Sequence, residues 1–104
     1  MTMFQIFVKK ETGFDVITEF KFCETRKFRS DYCIPELRLL IEKEGGIFTG
    51  KAHGSITGIL RDIEKYNLAT ILGYRILRYQ PKDLISYKTI KDIKELQTNL
   101  VNKV

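Results

Sequence analysis

Three carboxylates fall close together in the chain, on residue types and spacings that could hold a metal ion. Asp31 lies in residues 26–34, RKFRSDYCI, which alternate as a strand does, and Glu42 and Glu44 close the apolar run 37–44, LRLLIEKE. Residues two apart on a strand face the same way, so Glu42 and Glu44 project from one face and Lys43 from the other. If the two strands pair through the turn at Pro35, Asp31 comes beside Glu42. Carboxylates gathered in a partly buried place repel one another, and a divalent cation relieves that repulsion. Hard oxygen ligands of this kind suit Mg²⁺ or Mn²⁺. Such an ion can polarise a phosphoryl oxygen, help ionise a water and stabilise a leaving oxygen. The same acids could instead form a solvated edge offset by Arg29, Arg38 and Lys43.

Other candidates surround this cluster. His53 sits in the glycine-rich stretch 45–58, where a histidine can shuttle a proton, orient water or touch phosphate. Asp62 and Lys65 are three apart on a helical segment, either as a surface pair or with Lys65 turned back toward the acids. In KFCETRKFRS, Lys21, Arg26, Lys27 and Arg29 alternate with Phe20, Phe22 and Phe28, as on a phosphate-binding face or the charged side of a strand pair. Cys23 and Cys33 with one histidine make too few ligands for structural zinc, so both read as free thiols.

The elements that must position these groups follow from periodicity. Residues 17–24 alternate as a first strand, 26–34 form a second ended by Pro35, and the more continuously apolar 37–44 form a third, central one. Residues 3–10, MFQIFVKK, read as a strand or a poor helix. In residues 55–73, Ile59, Ile63, Tyr66 or Asn67, Thr70 and Ile71, flanked by Leu60, Leu68 and Leu72, follow helical spacing up to a C-terminal cap at Gly73. YRILRY, 74–79, is a fourth strand, and 88–104 form an amphipathic helix that either packs on its own sheet or makes a dimer seam. A β-β-β-α-β run implies an α/β sandwich with a mixed sheet, its hairpin strands antiparallel and the strand after the crossover helix parallel to a neighbour.

Bulk properties agree with this order. The 104 residues suit one domain, residues 1–104, without repeats or a low-complexity linker. Hydrophobic residues make up 43% and charged residues 30%, a globular rather than disordered composition. No apolar stretch reaches the ~18–20 residues that span a bilayer, and the first residues lack the pattern of a signal peptide, so a cytoplasmic protein with no membrane partner is expected. A net charge of +5 is compatible with a polyanionic partner.

Between residues 19 and 81 several patterns occur in order: an Arg-Lys-aromatic-Arg-x-Asp strand, an apolar strand ending Glu-x-Glu-Gly-Gly, a Gly-x-x-His loop, an Asp-x-Glu-Lys-Tyr-Asn helix and a Gly-aromatic-Arg-x-Leu-Arg strand. Together they resemble the small phage and bacterial nuclease domains related to the very-short-patch repair endonucleases, in the PD-(D/E)XK nuclease superfamily. The resemblance implies a restriction-endonuclease-like sandwich, a central mixed four-stranded sheet flanked by helices. It also implies Mg²⁺-dependent (or Mn²⁺-dependent) hydrolysis of DNA phosphodiesters to a 3′-hydroxyl and a 5′-phosphate, in a bacterial or phage-infected cell. Carried onto this chain, Asp31 is the first metal-binding acid, Glu42 the second, and Glu44 an assisting ligand where the superfamily usually has lysine. Lys65 then supplies the lysine's role, His53 is the loop histidine and Glu19 an upstream acid. Arg26, Lys27, Arg29, Lys51, Arg61, Arg75 and Arg78 are the candidates to contact phosphates. A homodimer or a partner protein would extend the surface of so small a chain. The alternatives are a catalytically inactive nucleic-acid-binding module and a protein-interaction subunit of the same fold.

Overall fold

The apolar residues before the two glutamates form the centre of the sheet: Leu39, Leu40 and Ile41 of the third strand, β3 (Leu39–Lys43), are buried on both faces. A computed structural model describes residues 1–44 and 56–102. Its elements run α1 (Met3–Thr12), β1 (Ile17–Lys21), β2 (Arg29–Ile34), a 3-10 turn (Pro35–Leu37), β3, α2 (Ile56–Ile71), β4 (Arg75–Tyr79), α3 (Pro81–Leu84) and α4 (Tyr87–Asn102). The strand order is β1-β2-β3-β4, with β1–β2 and β2–β3 antiparallel and β3–β4 parallel. The chain is thus an α/β fold with a four-stranded mixed sheet flanked by helices, as the element order requires. Among the described residues no helix is long and apolar enough to cross a membrane.

Alternation along the strands feeds two cores. On one face, Phe4 and Val8 of α1 and Ile90 and Ile93 of α4 pack with Leu39 and Ile41. On the other, Leu40 and Cys33 meet Ala69 of α2 together with Phe22 and Phe28. The apolar stripe of α4 is therefore used at home, with Leu96 and Leu100 continuing it onto the first core, which removes α4 as a dimer seam. Cys23 and Cys33 are free thiols, and burial pushes Cys33 up to about 11.

Residues 3–12 settle as a helix despite a β-favouring composition, because their ends are capped. Thr2 Oγ1 accepts the Gln5 N–H and Gln5 Oε1 accepts the Thr2 N–H, a reciprocal capping box, while Gly13 at φ 83° closes the other end on the Lys9 carbonyl. Phe4 and Val8, four apart, then present one buried face.

Two further features shape the site. Glu19, in the middle of β1, has a left-handed φ of 48°. Across it β1 changes cores: Val16 belongs to the first, Phe20 and Phe22 to the second. The second feature is α2, which lies opposite to the packing its stripe suggests. Ile56, Ile59, Leu60, Ile63 and Ile71 are exposed and Ala69 is its buried residue, while Lys65 and Tyr66 turn to the sheet. Arg38 anchors the far end of this helix instead of offsetting the acids. Its Nη2 donates to the Leu72 carbonyl at 2.6 Å, its Nε to the Gly73 carbonyl at 3.4 Å, and its guanidinium stacks on Tyr74.

Gly73, at φ 90°, ends α2 as the spacing anticipates. A Cβ there would meet Arg38 at an ordinary 3.6 Å, so the penalty for alanine is backbone strain and not a clash. Gly73→Ala is expected to lower stability by about 1–2 kcal/mol, visible as a drop in melting temperature of roughly 4–8 °C per kcal/mol by circular dichroism. An unchanged melting temperature would show that the helix end relaxes at no cost.

Candidate active site

One row of the sheet gathers the candidate acids. The β2–β3 pairing runs to Tyr32↔Ile41, which leaves Asp31 across from Glu42, and Glu42 pairs with Arg78 on β4. On the other side, Glu19 falls between the pairs Thr18↔Tyr32 and Phe20↔Ser30, opposite Asp31. Where the β2–β3 ladder stops, the carboxylates take over the backbone donors. Glu42 Oε2 accepts the Asp31 N–H at 3.2 Å, and Asp31 Oδ2 accepts the Lys43 N–H at 2.8 Å. Each acid is thereby fixed by the other's strand.

Glu42 is only 4% exposed. Its Oε1 lies 2.5 Å from Lys65 Nζ in a close ion pair, and among the described residues it has no well-aligned donor. Burial pushes the Glu42 carboxyl above the ordinary value. Lys65 and the Asp31 N–H draw it back only in part, and the Asp31 charge adds to the rise. Lys65 thus turns back toward the acids from the inward face of α2 and meets Glu42.

Glu44 departs from expectation. It lies just past the end of β3, and its carboxylate is held elsewhere: Arg78 Nε donates to Oε1 at 2.5 Å and Tyr66 Oη to the same atom at 3.3 Å. Arg78 also stacks 4.7 Å over the Tyr66 ring, and its hydrogen bond to Glu44 pushes its guanidinium further up. Burial, and then the charges of Glu42 and Glu44, push the Tyr66 phenol upward, so it stays a donor at neutral pH. Among the described residues no group of three acid, histidine or cysteine side chains is assembled to hold a metal, so the three-carboxylate cup is corrected to a pair, Asp31 and Glu42. That pair is still compatible with Mg²⁺, which commonly takes one or two carboxylates and completes its shell with water and phosphate oxygens. Glu42 Oε1, buried and without an aligned donor, is the atom such an ion would satisfy.

The basic residues divide. Lys27, Arg29, Arg61 and Lys65 line one groove of about 420 Å³ with Phe28 and Asp62, and Lys27, Phe28 and Arg61 continue into a second of about 360 Å³ beside Arg26. Arg26 is committed to an ion pair with Glu64 and stacks 4.7 Å over Phe28, tying the β1–β2 connection to α2. Arg78 is committed to Glu44. Arg75 is not brought to this groove: with Leu77 it faces Asp92 and Glu95 of α4, on the sheet's other side. Glu19 is exposed, at its left-handed position in the row. His53 and Lys51 lie outside the described residues. A larger groove, about 880 Å³ along α4, shares no residue with this row.

Tyr66 is the contributor that the sequence reading left in the apolar stripe. The signal was present: Asp62, Lys65, Tyr66 and Ala69 mark a polar and small-residue face opposite Ile59 and Ile63. Comparison with family models, curated protein sequences and solved structures gives no match for this chain.

Because Glu42 holds a proton more tightly in the folded than in the unfolded chain, its ionisation weakens the fold as pH rises above the ordinary carboxylate value of 4.5, and the whole penalty is present above its folded pKa. Glu42→Gln is therefore expected to melt at a higher temperature than the parent at pH 8 in chelator, with the gap closing as pH falls toward 4.5. A gap that widened on acidification would contradict the assignment.

Proposed function

We propose that the chain is a metal-dependent DNA endonuclease of the PD-(D/E)XK type, built on the restriction-endonuclease-like form of its sandwich. The observation that carries this reading is the meeting of Asp31, Glu42 and Lys65, the last of which also lines the basic groove. Two carboxylates from neighbouring strands, one lysine from the crossover helix and a basic groove that shares this lysine form a coherent set for phosphodiester hydrolysis.

In this reading Asp31 and Glu42 hold the Mg²⁺ or Mn²⁺ ion. When bound, the ion polarises the scissile phosphoryl group and helps to ionise a water. Lys65 Nζ, already beside Glu42 Oε1, moves to the phosphate oxygens and stabilises the charge that builds on them. Arg78 and Tyr66 keep Glu44 oriented at the rim of the site. Lys27, Arg29 and Arg61 contact successive backbone phosphates, which positions the DNA without reading its sequence. The free thiols fit a reducing compartment, the cytoplasm.

A second reading, a binding module without catalysis, draws on the pairing of Glu42 and Glu44 with cations of the chain itself. One set of assays separates the two. The endonuclease reading expects cleavage of nicked, mismatched, flapped or four-way-junction DNA in Mg²⁺ or Mn²⁺. Asp31→Asn and Lys65→Met should each lower the rate about 100-fold or more, with retained binding and a near-parental circular dichroism spectrum. Salt-dependent binding with no cleavage of any of these substrates would instead favour the binding module. Lys27→Ala and Arg61→Ala should weaken binding to all sequences alike and each reduce the salt slope by about one. An unchanged slope would remove that residue from the groove.

A further inference from the structure

We propose that the outward face of α4 binds single-stranded nucleic acid, on the side of the sheet opposite the groove of Lys27, Arg29 and Arg61. The two sides carry different helices: Ile90 and Ile93 of α4 pack with Leu39 and Ile41, whereas Ala69 of α2 packs with Leu40. With Ile90 and Ile93 turned inward, Tyr87, Lys91, Lys94 and Thr98 step by four, three and four and form one exposed row along the outside of the helix. The row covers ~17 Å of helix, and Lys88 lies beside it in the same shallow groove of about 880 Å³.

Charge selects the occupant. Three lysines and one acid line this groove. The acid, Glu95, lies 3.9 Å from Lys91 with both side chains mostly in water, and a solvated pair of that kind is weak enough for a phosphate to replace. Asp92, the other acid of α4, is turned away and accepts the Tyr79 hydroxyl at 2.7 Å. Lys88 and Lys94 make no ion pair among the described residues. A solvating helix face ordinarily interleaves both signs. This one is left with cations in a row, the complement of a chain of phosphates.

The aromatic residue selects the form of the strand. Tyr87, 77% exposed at the head of the row, offers a ring on which an unpaired base can stack. A base inside a duplex has no free face to give, so ring and lysines together fit a single strand. A membrane would want an apolar stripe to bury, and Ile90 is already covered by the core. The platform itself is fixed. Ser86 Oγ and Thr89 Oγ1 both donate to the Asp83 carbonyl, at 2.6 and 2.9 Å, so the start of α4 keeps Tyr87 and Lys88 in place before any ligand arrives. Binding here does not rest on the nuclease reading, because the row shares no residue with Asp31, Glu42 or Lys65.

The test is fluorescence anisotropy of a labelled single-stranded oligonucleotide, in chelator so that nothing is cut, with the full chain carrying Lys27→Ala and Arg61→Ala. The expected result is salt-dependent binding that survives the loss of that groove. Adding Lys91→Gln and Lys94→Gln should reduce the salt slope by roughly 1.4, about 0.7 for each phosphate contact on a single strand. Lys91→Arg with Lys94→Arg should keep the slope, which separates charge from any disturbance of the helix. Tyr87→Ala should weaken binding about fivefold or more. Loss of all binding with Lys27→Ala and Arg61→Ala overturns the proposal, and so does a slope that the two glutamines leave unchanged or the two arginines fail to keep. A duplex of the same length that binds this variant as tightly, with no effect of Tyr87→Ala, also overturns it. Capture by phosphatidylglycerol vesicles in place of the oligonucleotide, lost with the two lysines, would give the face to a membrane and overturn it as well.

Discussion

The withdrawal of the Glu42 carboxylate from water is the constraint from which the arrangement around it follows. A carboxylate at the end of a strand buried on both faces loses its hydration, at an effective cost of several kcal/mol before compensation. Here the compensation comes from two directions: the Asp31 N–H on the neighbouring strand and Lys65 on the crossover helix. For Lys65 to arrive, α2 must turn a polar face toward the sheet, and only a small residue, Ala69, is buried along it. Once that face is inward, the isoleucines of the helix have nowhere to go but out. The buried acid, the inverted helix and the apolar exterior are one solution to one electrostatic demand.

The next position along the chain repeats the logic in milder form. Glu44 is also shielded, and it too is matched by a cation, Arg78, with Tyr66 packed between the guanidinium and the helix. The two glutamates therefore stand in different electrostatic settings. Glu42 has one cation beside it and an oxygen without an aligned donor among the described residues, whereas Glu44 takes two donors on one oxygen.

Much of this was legible in the residues. The hairpins, the parallel crossover strand and the central place of β3 follow from alternation, from Pro35 and from the continuous apolar run, and period-two geometry was enough to bring Asp31 beside Glu42. Residues 3–10 left strand and helix open, and the local capping box of Thr2 and Gln5 decides for the helix. What escaped was decided by longer-range competition. The stripe on α2 marks a helix by its spacing, but spacing does not say which face packs, and the buried charge on β3 draws the polar face inward. Glu44 shares a face with Glu42, which suggested a shared ion, yet spacing along one strand says nothing of Arg78 arriving from β4. Arg75 and Arg78 differ by one odd step, enough to send them to opposite faces of the sheet.

The two layers are also unequal in thickness. Among the described residues, the α1–α4 side buries Phe4, Val8, Leu39, Ile41, Ile90, Ile93 and others, while the α2 side has Phe22, Phe28, Cys33, Leu40 and Ala69. Local opening follows the thinner layer, since a cooperative unit held by fewer buried contacts separates at a lower free energy than the whole molecule. Amide protons of α2 should thus exchange with solvent ahead of those of β3, and Lys65 travels with that layer. Opening of α2 carries Lys65 away from Glu42 while both acids stay on the sheet, so the ion pair is only as lasting as the packing of that one helix.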